Sequence, residues 1–255
     1  MAHIISVCNQ KGGVGKSTTT LNIGVALAQS GFRVLLVDFD PQASLTAAMG
    51  IDPANQDGVS EIVEALLARV KPEILPLSRH GVDVLPSSIR LSAVEPQIFM
   101  SSFGREYILS KILAEVRGDY DYILIDCPPA LTMLTINALA ASDSVVVPLK
   151  ANGADFRVLP DLIDTLNVVR AGTNRAIPVD GILLTMYNGR LNMTKAIEEA
   201  LPRCELPIFN TRISTATQIA EASTQGESVL TYAPKSKSAA EYIKLTDELL
   251  TIRRG

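Results

Sequence analysis

Asn9-Gln10-Lys11-Gly12-Gly13-Val14-Gly15-Lys16-Ser17-Thr18 is the stretch of this chain best equipped for chemistry. Gly12, Gly13 and Gly15 allow backbone N–H groups to turn inward around an anion. Lys16 brings a cation to the β- and γ-phosphates of a bound nucleotide, and the Ser17 hydroxyl is a ligand for Mg²⁺. Val14 and Thr18 complete the candidate ATP-binding loop. The general phosphate-loop pattern, G-x-x-x-x-G-K-[ST], asks for glycine at position 10, where this chain has Gln10 followed by Lys11. A lysine at that place projects from the phosphate edge rather than into it. Charge that develops on a transferred phosphoryl group needs a cation, and a second subunit can supply one in trans.

Two further runs bring carboxylates. Val34 to Gln42 reads VLLVDFDPQ and ends an apolar strand with Asp38 and Asp40. Tyr122 to Pro129 reads YILIDCPP and ends another with Asp126, in the strand-then-aspartate form of a Walker B motif. Ligands of open parallel sheets sit outside the carboxyl ends of the strands. Asp126 is expected to hold Mg²⁺ through its water shell, because that ion dehydrates reluctantly.

These residues must be positioned by strands and helices, and the patterns for both are present. Short apolar runs at 4–8, 33–38, 82–85, 122–126, 144–148 and 181–185 read as strands buried on both faces. Helical patterns at 17–29, 60–69, 105–117, 131–141, 159–170 and 193–201 alternate with them. The alternation predicts an α/β fold: one doubly wound, mostly parallel sheet with helices on both faces. Residues 1–255 read as a single domain, with 52–79 the least regular segment and a small helical insertion one reading of it.

The composition agrees. Of 255 residues, 47% are hydrophobic and none is Trp, which suits a sheet of Val, Ile and Leu covered by helices. A net charge of −4 argues against a globally basic nucleic-acid binder but leaves room for a local patch. Cys8, Cys127 and Cys204 have neither C-x-x-C nor zinc spacing and are expected to be reduced thiols of a cytosolic protein. No signal peptide and no membrane span are expected. His3 and His80 match no motif and are expected at the surface or at a strand edge.

KGGVGKST, VDFDPQAS and IDCPP, with the segment Pro234 to Tyr242, resemble the ParA/MinD ATPases with a deviant Walker A motif. They resemble ParA/Soj partition proteins more than MinD, and the resemblance covers nearly the whole chain. It implies that Lys11 reaches the phosphates bound in a second subunit, so that ATP and dimerisation are linked. It implies that Asp40 positions the attacking water or the metal, and that Asp38 supports Lys16 and the metal shell. Asp126 with Pro128 and Pro129 is similar to the segment whose backbone amides sense the γ-phosphate. Adenine is implied near Met186 and the segment from Pro207 to Ile213. No His or Glu stands out as a strong general base, so slow hydrolysis is expected.

The resemblance further implies ATP-dependent binding to non-specific DNA, with Arg190 as the matching arginine and Arg212 as a second candidate. Lys195, Lys235, Lys237, Arg253 and Arg254 are available to extend a patch. Where relatives often carry two arginines, this chain has Thr215 and Gln218. The implied setting is a cytoplasmic, nucleoid-associated homodimer with a ParB-like partner, no N-terminal helix-turn-helix region and no membrane role. The tail from Ala239 to Arg254 mixes acids among its apolar residues, so it reads as a helix packed on the domain. Three competitors remain: a positioning ATPase for a protein cluster or membrane site, an iron protein, and a metabolic phosphate-loop kinase. The second needs cluster-ligating cysteines, for which Cys127 is the one candidate.

Overall fold

A computed structural model describes residues 1–55, 58–68, 74, 76–101, 104–151, 159–173 and 176–254, with the side chains of 159, 161–162, 173, 203 and 254 excepted. Among these residues the strands are β1 (His3–Val7), β2 (Val34–Asp38), β3 (Leu77–Arg79), β4 (Val82–Leu85), β5 (Tyr122–Asp126), β6 (Ser144–Lys150) and β7 (Val179–Thr185). They form one sheet in the order β3-β4-β2-β5-β1-β6-β7. Every pairing is parallel except the β3–β4 edge hairpin.

Alternate residues of these strands feed two cores. Ile4, Leu35, Val37, Ile123 and Ile125 belong to one, while Ile5, Val7, Leu36 and Leu124 belong to the other. Successive side chains of a strand point to opposite faces, so apolar residues at consecutive positions require cover on both sides. Against the first face lie α3 (Val59–Leu67), α4 (Leu91–Met100), α5 (Ile108–Val116), α6 (Met133–Ala141), α7 (Leu159–Thr173) and α8 (Asn192–Ala200). Against the second lie α1 (Lys16–Gln29), α2 (Ser44–Ala48), α9 (Thr217–Thr224), α10 (Val229–Tyr232) and α11 (Lys237–Arg254). Each fully buried Leu, Ile or Val is worth about 1.5–3 kcal/mol, which is what holds the layers together.

The expected fold class stands, and the differences are local. The segment 52–79 holds α3 and then β3, an antiparallel edge strand too short and too polar to be read as one. The expected end of α3 at Arg69 lies outside the described residues. Helix α4 was not expected, because Pro96 lies inside it and proline removes a helical N–H. The stretch 105–117 divides into a 3₁₀ turn, Arg105–Tyr107, and α5. The tail is a helix on the domain, as expected: Ala239, Tyr242, Leu245 and Leu249 are buried in the second core. No helix among the described residues is long and apolar enough to cross a membrane.

Candidate functional site

The phosphate loop joins β1 to α1 at the carboxyl edge of the sheet. Gly15 adopts φ 88° at the start of α1, a conformation that costs a residue with a Cβ and suits glycine. The loop is anchored at both ends. Asn9 donates from Nδ2 to the Pro148 carbonyl at 2.7 Å, and its Oδ1 accepts from the Lys11 amide at 3.0 Å. Thr185, the last residue of β7, donates from Oγ1 to the buried Val14 carbonyl at 2.8 Å. Lys16 is 7% exposed and its Nζ donates to the Lys11 carbonyl at 3.0 Å, across the loop. Neither Asn9 nor Thr185 was singled out from sequence, since their partners lie on β6 and in the loop, far along the chain.

Three carboxylates meet beside the loop. In the parallel register Asp126 stands opposite Val7 on one side and Asp38 on the other. Asp38 is fully buried, with Oδ2 accepting from the Thr46 amide at 2.8 Å and the Thr46 hydroxyl at 2.6 Å, and Oδ1 from the Asp40 amide at 3.2 Å. Burial pushes its pKa up to about 6 against those hydrogen bonds. Thr46 in turn accepts from the Ser87 amide at 2.9 Å, tying α2 to the end of β4. Asp40 is 6% exposed and accepts from the Gln42 amide at 3.0 Å. Burial raises its pKa too, opposed by that amide and by the Lys16 charge.

Asp126 is different. It is fully buried and neither carboxylate oxygen completes a hydrogen bond. Burial raises its pKa well above the usual range, and the charge of Asp38 adds to this. The neighbouring Ser17 hydroxyl and the Lys16 ammonium act in the opposite sense. A buried, unpartnered carboxylate is costly unless a cation completes it. Among the described residues no three His, Cys, Asp or Glu side chains gather to hold a metal by themselves. Asp126 and Ser17 therefore fit a Mg²⁺ that takes its other ligands from phosphate oxygens and water.

Two clefts open on this edge and share Gly15, Thr18, Met186 and Ser223. The polar one, about 350 Å³, is lined by Gly12, Gly13, Lys16, Ser17, Asp40 and Gln42, and has Pro129 on its rim. Lys11 is not part of that lining. Pro128, assigned to the nucleotide from sequence, is buried beneath it, and Pro129 takes the exposed place. The apolar cleft, about 410 Å³, is lined by Thr185, Met186, Ile213, Ile219, Ala220 and Tyr242, among others. Of the segment from Pro207 to Ile213, only Ile213 reaches it; the wall continues through Ser214, Thr215 and Ala216 into α9, with Tyr242 of α11 beside them. Met186 holds the strained φ of 48° at the end of β7.

The basic residues divide. Arg190 is exposed in the loop after β7, with its amide donating to Asn188 Oδ1 at 3.1 Å. Lys195 and Lys235 are exposed. Arg212 is tied down: it pairs with Glu198 at 3.1 Å and donates to the Phe209 and Asn210 carbonyls. Arg253 pairs with the buried Asp180, and Lys237 with Glu241. The Arg254 side chain lies outside the described residues. Arg212 and Arg253 are thus braces of the fold, which spacing could not reveal because their acidic partners are 14 and 73 residues away. Cys8 and Cys127 are buried free thiols beneath the site, so Cys127 is not placed to ligate a cluster shared between subunits.

Comparison with known proteins extends this picture. The AAA domain family matches residues 2–179. The sporulation initiation inhibitor protein Soj of Bacillus subtilis (strain 168) is 39% identical over 253 residues, covering 98% of this chain and 98% of its own. The chromosome partitioning protein ParA of Myxococcus xanthus (strain DK1622) is 37% identical over 253 residues, covering 98% of this chain and 88% of its own. Among solved structures, the cobyrinic acid a,c-diamide synthase of Mycobacterium smegmatis with bound ATP analog and magnesium superposes with a TM-score of 0.87. It is 34% identical, over 100% of this chain and 97% of that one.

Proposed function

The chain belongs to the ParA/Soj family of partition ATPases, and on that premise we propose that it is an ATP-switched homodimer. In its ATP state it binds DNA without sequence preference and, with a ParB-like partner, segregates a plasmid or chromosome region. The observation that carries this reading is the fully buried Asp126 carboxyl beside Ser17 and Lys16, two residues that themselves line a glycine-walled cleft.

ATP and Mg²⁺ are the ligands that suit the two clefts. Backbone amides from Gly12 to Ser17 and the α1 N-terminus cradle the phosphates, and Lys16 leaves the Lys11 carbonyl for a phosphate oxygen. Mg²⁺, held by Ser17 and Asp126, neutralises phosphate charge when bound. Asp40, fixed by the Gln42 amide, orients the attacking water or the metal's water shell. Lys11, outside its own cleft, serves the phosphates of the partner copy. Among the described residues no His or Glu lines the phosphate cleft as a strong base, which supports slow hydrolysis that a partner accelerates. The setting is the cytoplasm, on the nucleoid.

The test is binding to a random-sequence duplex with ATP, ADP or no nucleotide across a salt series. Binding is expected with ATP alone, weakening steeply with salt and lost in Lys11→Ala. Arg190→Ala is expected to lower the slope of log affinity against log salt by about 1. A dimer that forms with ATP but binds no DNA would instead favour a positioning ATPase for a protein cluster or membrane site. One observation favours that second reading: Arg212, Lys237 and Arg253 already have acidic partners, which thins the basic patch.

A further inference from the structure

The apolar cleft has a wall that the C-terminal helix holds in place. Glu241 and Glu248 are seven residues apart in α11, two helical turns, and so lie on one face. Both accept hydrogen bonds from a single extended segment. Glu248 takes the Asn210 amide at 2.6 Å, the Asn210 side chain at 3.0 Å and the Thr211 amide at 3.0 Å. Glu241 takes the Ser214 amide at 2.8 Å and the Ser214 hydroxyl at 2.7 Å. Lys237, one turn earlier, donates to the same hydroxyl at 2.9 Å and pairs with Glu241 at 3.4 Å.

Every polar atom that Ser214 could turn toward a ligand, its carbonyl apart, is thus engaged by α11. Burial alone would lift the Glu248 pKa, yet the bonds from Asn210 and Thr211 outweigh it and hold it below the usual carboxylate value. The gripped segment runs directly into the cleft: Ile213, Ser214, Thr215 and Ala216 line it. Tyr242, next to Glu241, is buried and lines it from the helix side. On the other edge, the Tyr187 amide donates to the Ile213 carbonyl at 2.9 Å, so the segment is pinned between β7 and α11.

We propose that Glu241, with Lys237, is a positioning residue for the nucleoside half of the ligand: it fixes the Ser214 wall of the apolar cleft and leaves the phosphate half alone. The inference rests on the ATP-binding function proposed above. Carboxylate-to-amide bonds of this kind are stronger than neutral ones, and without them the wall is free to leave its place. The C-terminal helix is then a part of the nucleotide site, although it lies more than 200 residues from the phosphate loop.

The experiment displaces a fluorescent N-methylanthraniloyl ATP from the full chain with ATP and, separately, with inorganic tripolyphosphate, both with Mg²⁺. Tripolyphosphate reports the phosphate loop alone. Glu241→Ala is expected to weaken ATP about tenfold and to leave tripolyphosphate unchanged. Glu241→Gln, which keeps one acceptor, should fall between it and the parent. Ser214→Ala, a small change at a half-buried residue, should lose about threefold on ATP only. Equal losses on both ligands, or no loss on ATP in a folded variant, would overturn the assignment of Glu241. A parent chain that bound ATP no better than tripolyphosphate would overturn the reading of the apolar cleft itself, and Glu241 with it.

Discussion

Lys16 and Asp126 occupy the same small volume and bear opposite costs. Lys16 has a carbonyl to hold its ammonium, whereas Asp126 is fully buried, repelled by Asp38 and offset in part by the Ser17 hydroxyl and the Lys16 charge. Replacing Lys16 by Ala removes a donor that meets developing charge, so ATP turnover is expected to fall about 10²–10³-fold. A steady-state phosphate-release assay reads this directly. Asp126→Ala should abolish turnover as well, yet it removes a fully buried carboxyl whose desolvation outweighs what Ser17 and Lys16 return. The nucleotide-free variant is therefore expected to melt higher than the parent, by roughly 2–4 °C for each kcal/mol relieved. A calorimetric midpoint equal to or below the parent's would contradict the account of Asp126 as a costly buried carboxyl. Such a gain in stability at the expense of activity is what a site built for a charged ligand should show.

At the scale of elements, the site depends on short helices and turns that meet far from the phosphate loop. The turn after α2 and the turn after α9 touch at Gly50 and Gly226. Gly226 has φ 72°, and a Cβ there would stand 2.6 Å from the Gly50 Cα and 2.8 Å from its nitrogen. The His80 ring, at the tip of the β3–β4 hairpin, closes the same junction by bonding the Gly226 carbonyl at 2.7 Å. Gly226→Ala is thus expected to cost about 1–3 kcal/mol, read as a lower urea midpoint with an unchanged slope. Because α2 carries Thr46, which holds Asp38, and α9 walls the apolar cleft, ATP affinity should fall in the same variant. A full-strength, fully stable variant would show that the close approach of the two turns is not needed.

Across the whole molecule, the edge opposite the nucleotide is closed by a polar network. His3 Nε2 lies 3.1 Å from the Ser144 hydroxyl, Ser144 donates to Asp180 at 2.7 Å, and Arg253 from the end of α11 bonds both. Arg117 pairs with Asp143, which also accepts the Ile4 amide at 2.9 Å. Burial, and next the Arg253 charge, hold the His3 pKa below its usual value of 6.5. The unfolded chain therefore takes up this proton more readily than the folded one. The contribution of His3 is complete above pH 6.5 and is lost as the pH falls through that value toward the folded pKa. Asp38 and Asp126 have raised pKa values and act in the opposite direction, so the check is a difference. Melting the parent and His3→Gln between pH 7.5 and about 5 should show a smaller acid loss in the variant. Parallel curves would remove His3 from the account.

The phosphate loop, Asp38, Asp40 and Asp126 were legible in the chain because each belongs to a contiguous strand-then-loop motif. A glycine run after an apolar strand and before a helix has few other uses, and an aspartate ending a buried strand of a parallel sheet lands at the ligand edge. The doubly wound fold was legible for the same reason, since consecutive apolar residues demand cover on both faces. What only the tertiary structure decided is everything made by contact between distant segments. It put Pro129 rather than Pro128 on the cleft, and of the segment from Pro207 to Ile213 it brought only Ile213 to the apolar wall, which Ser214, Thr215, Ala216, α9 and Tyr242 complete. It also spent Arg212 and Arg253 on Glu198 and Asp180. A charge or a small side chain looks the same in sequence whether it is free or paired, and its partner is chosen only when the helices close over the sheet.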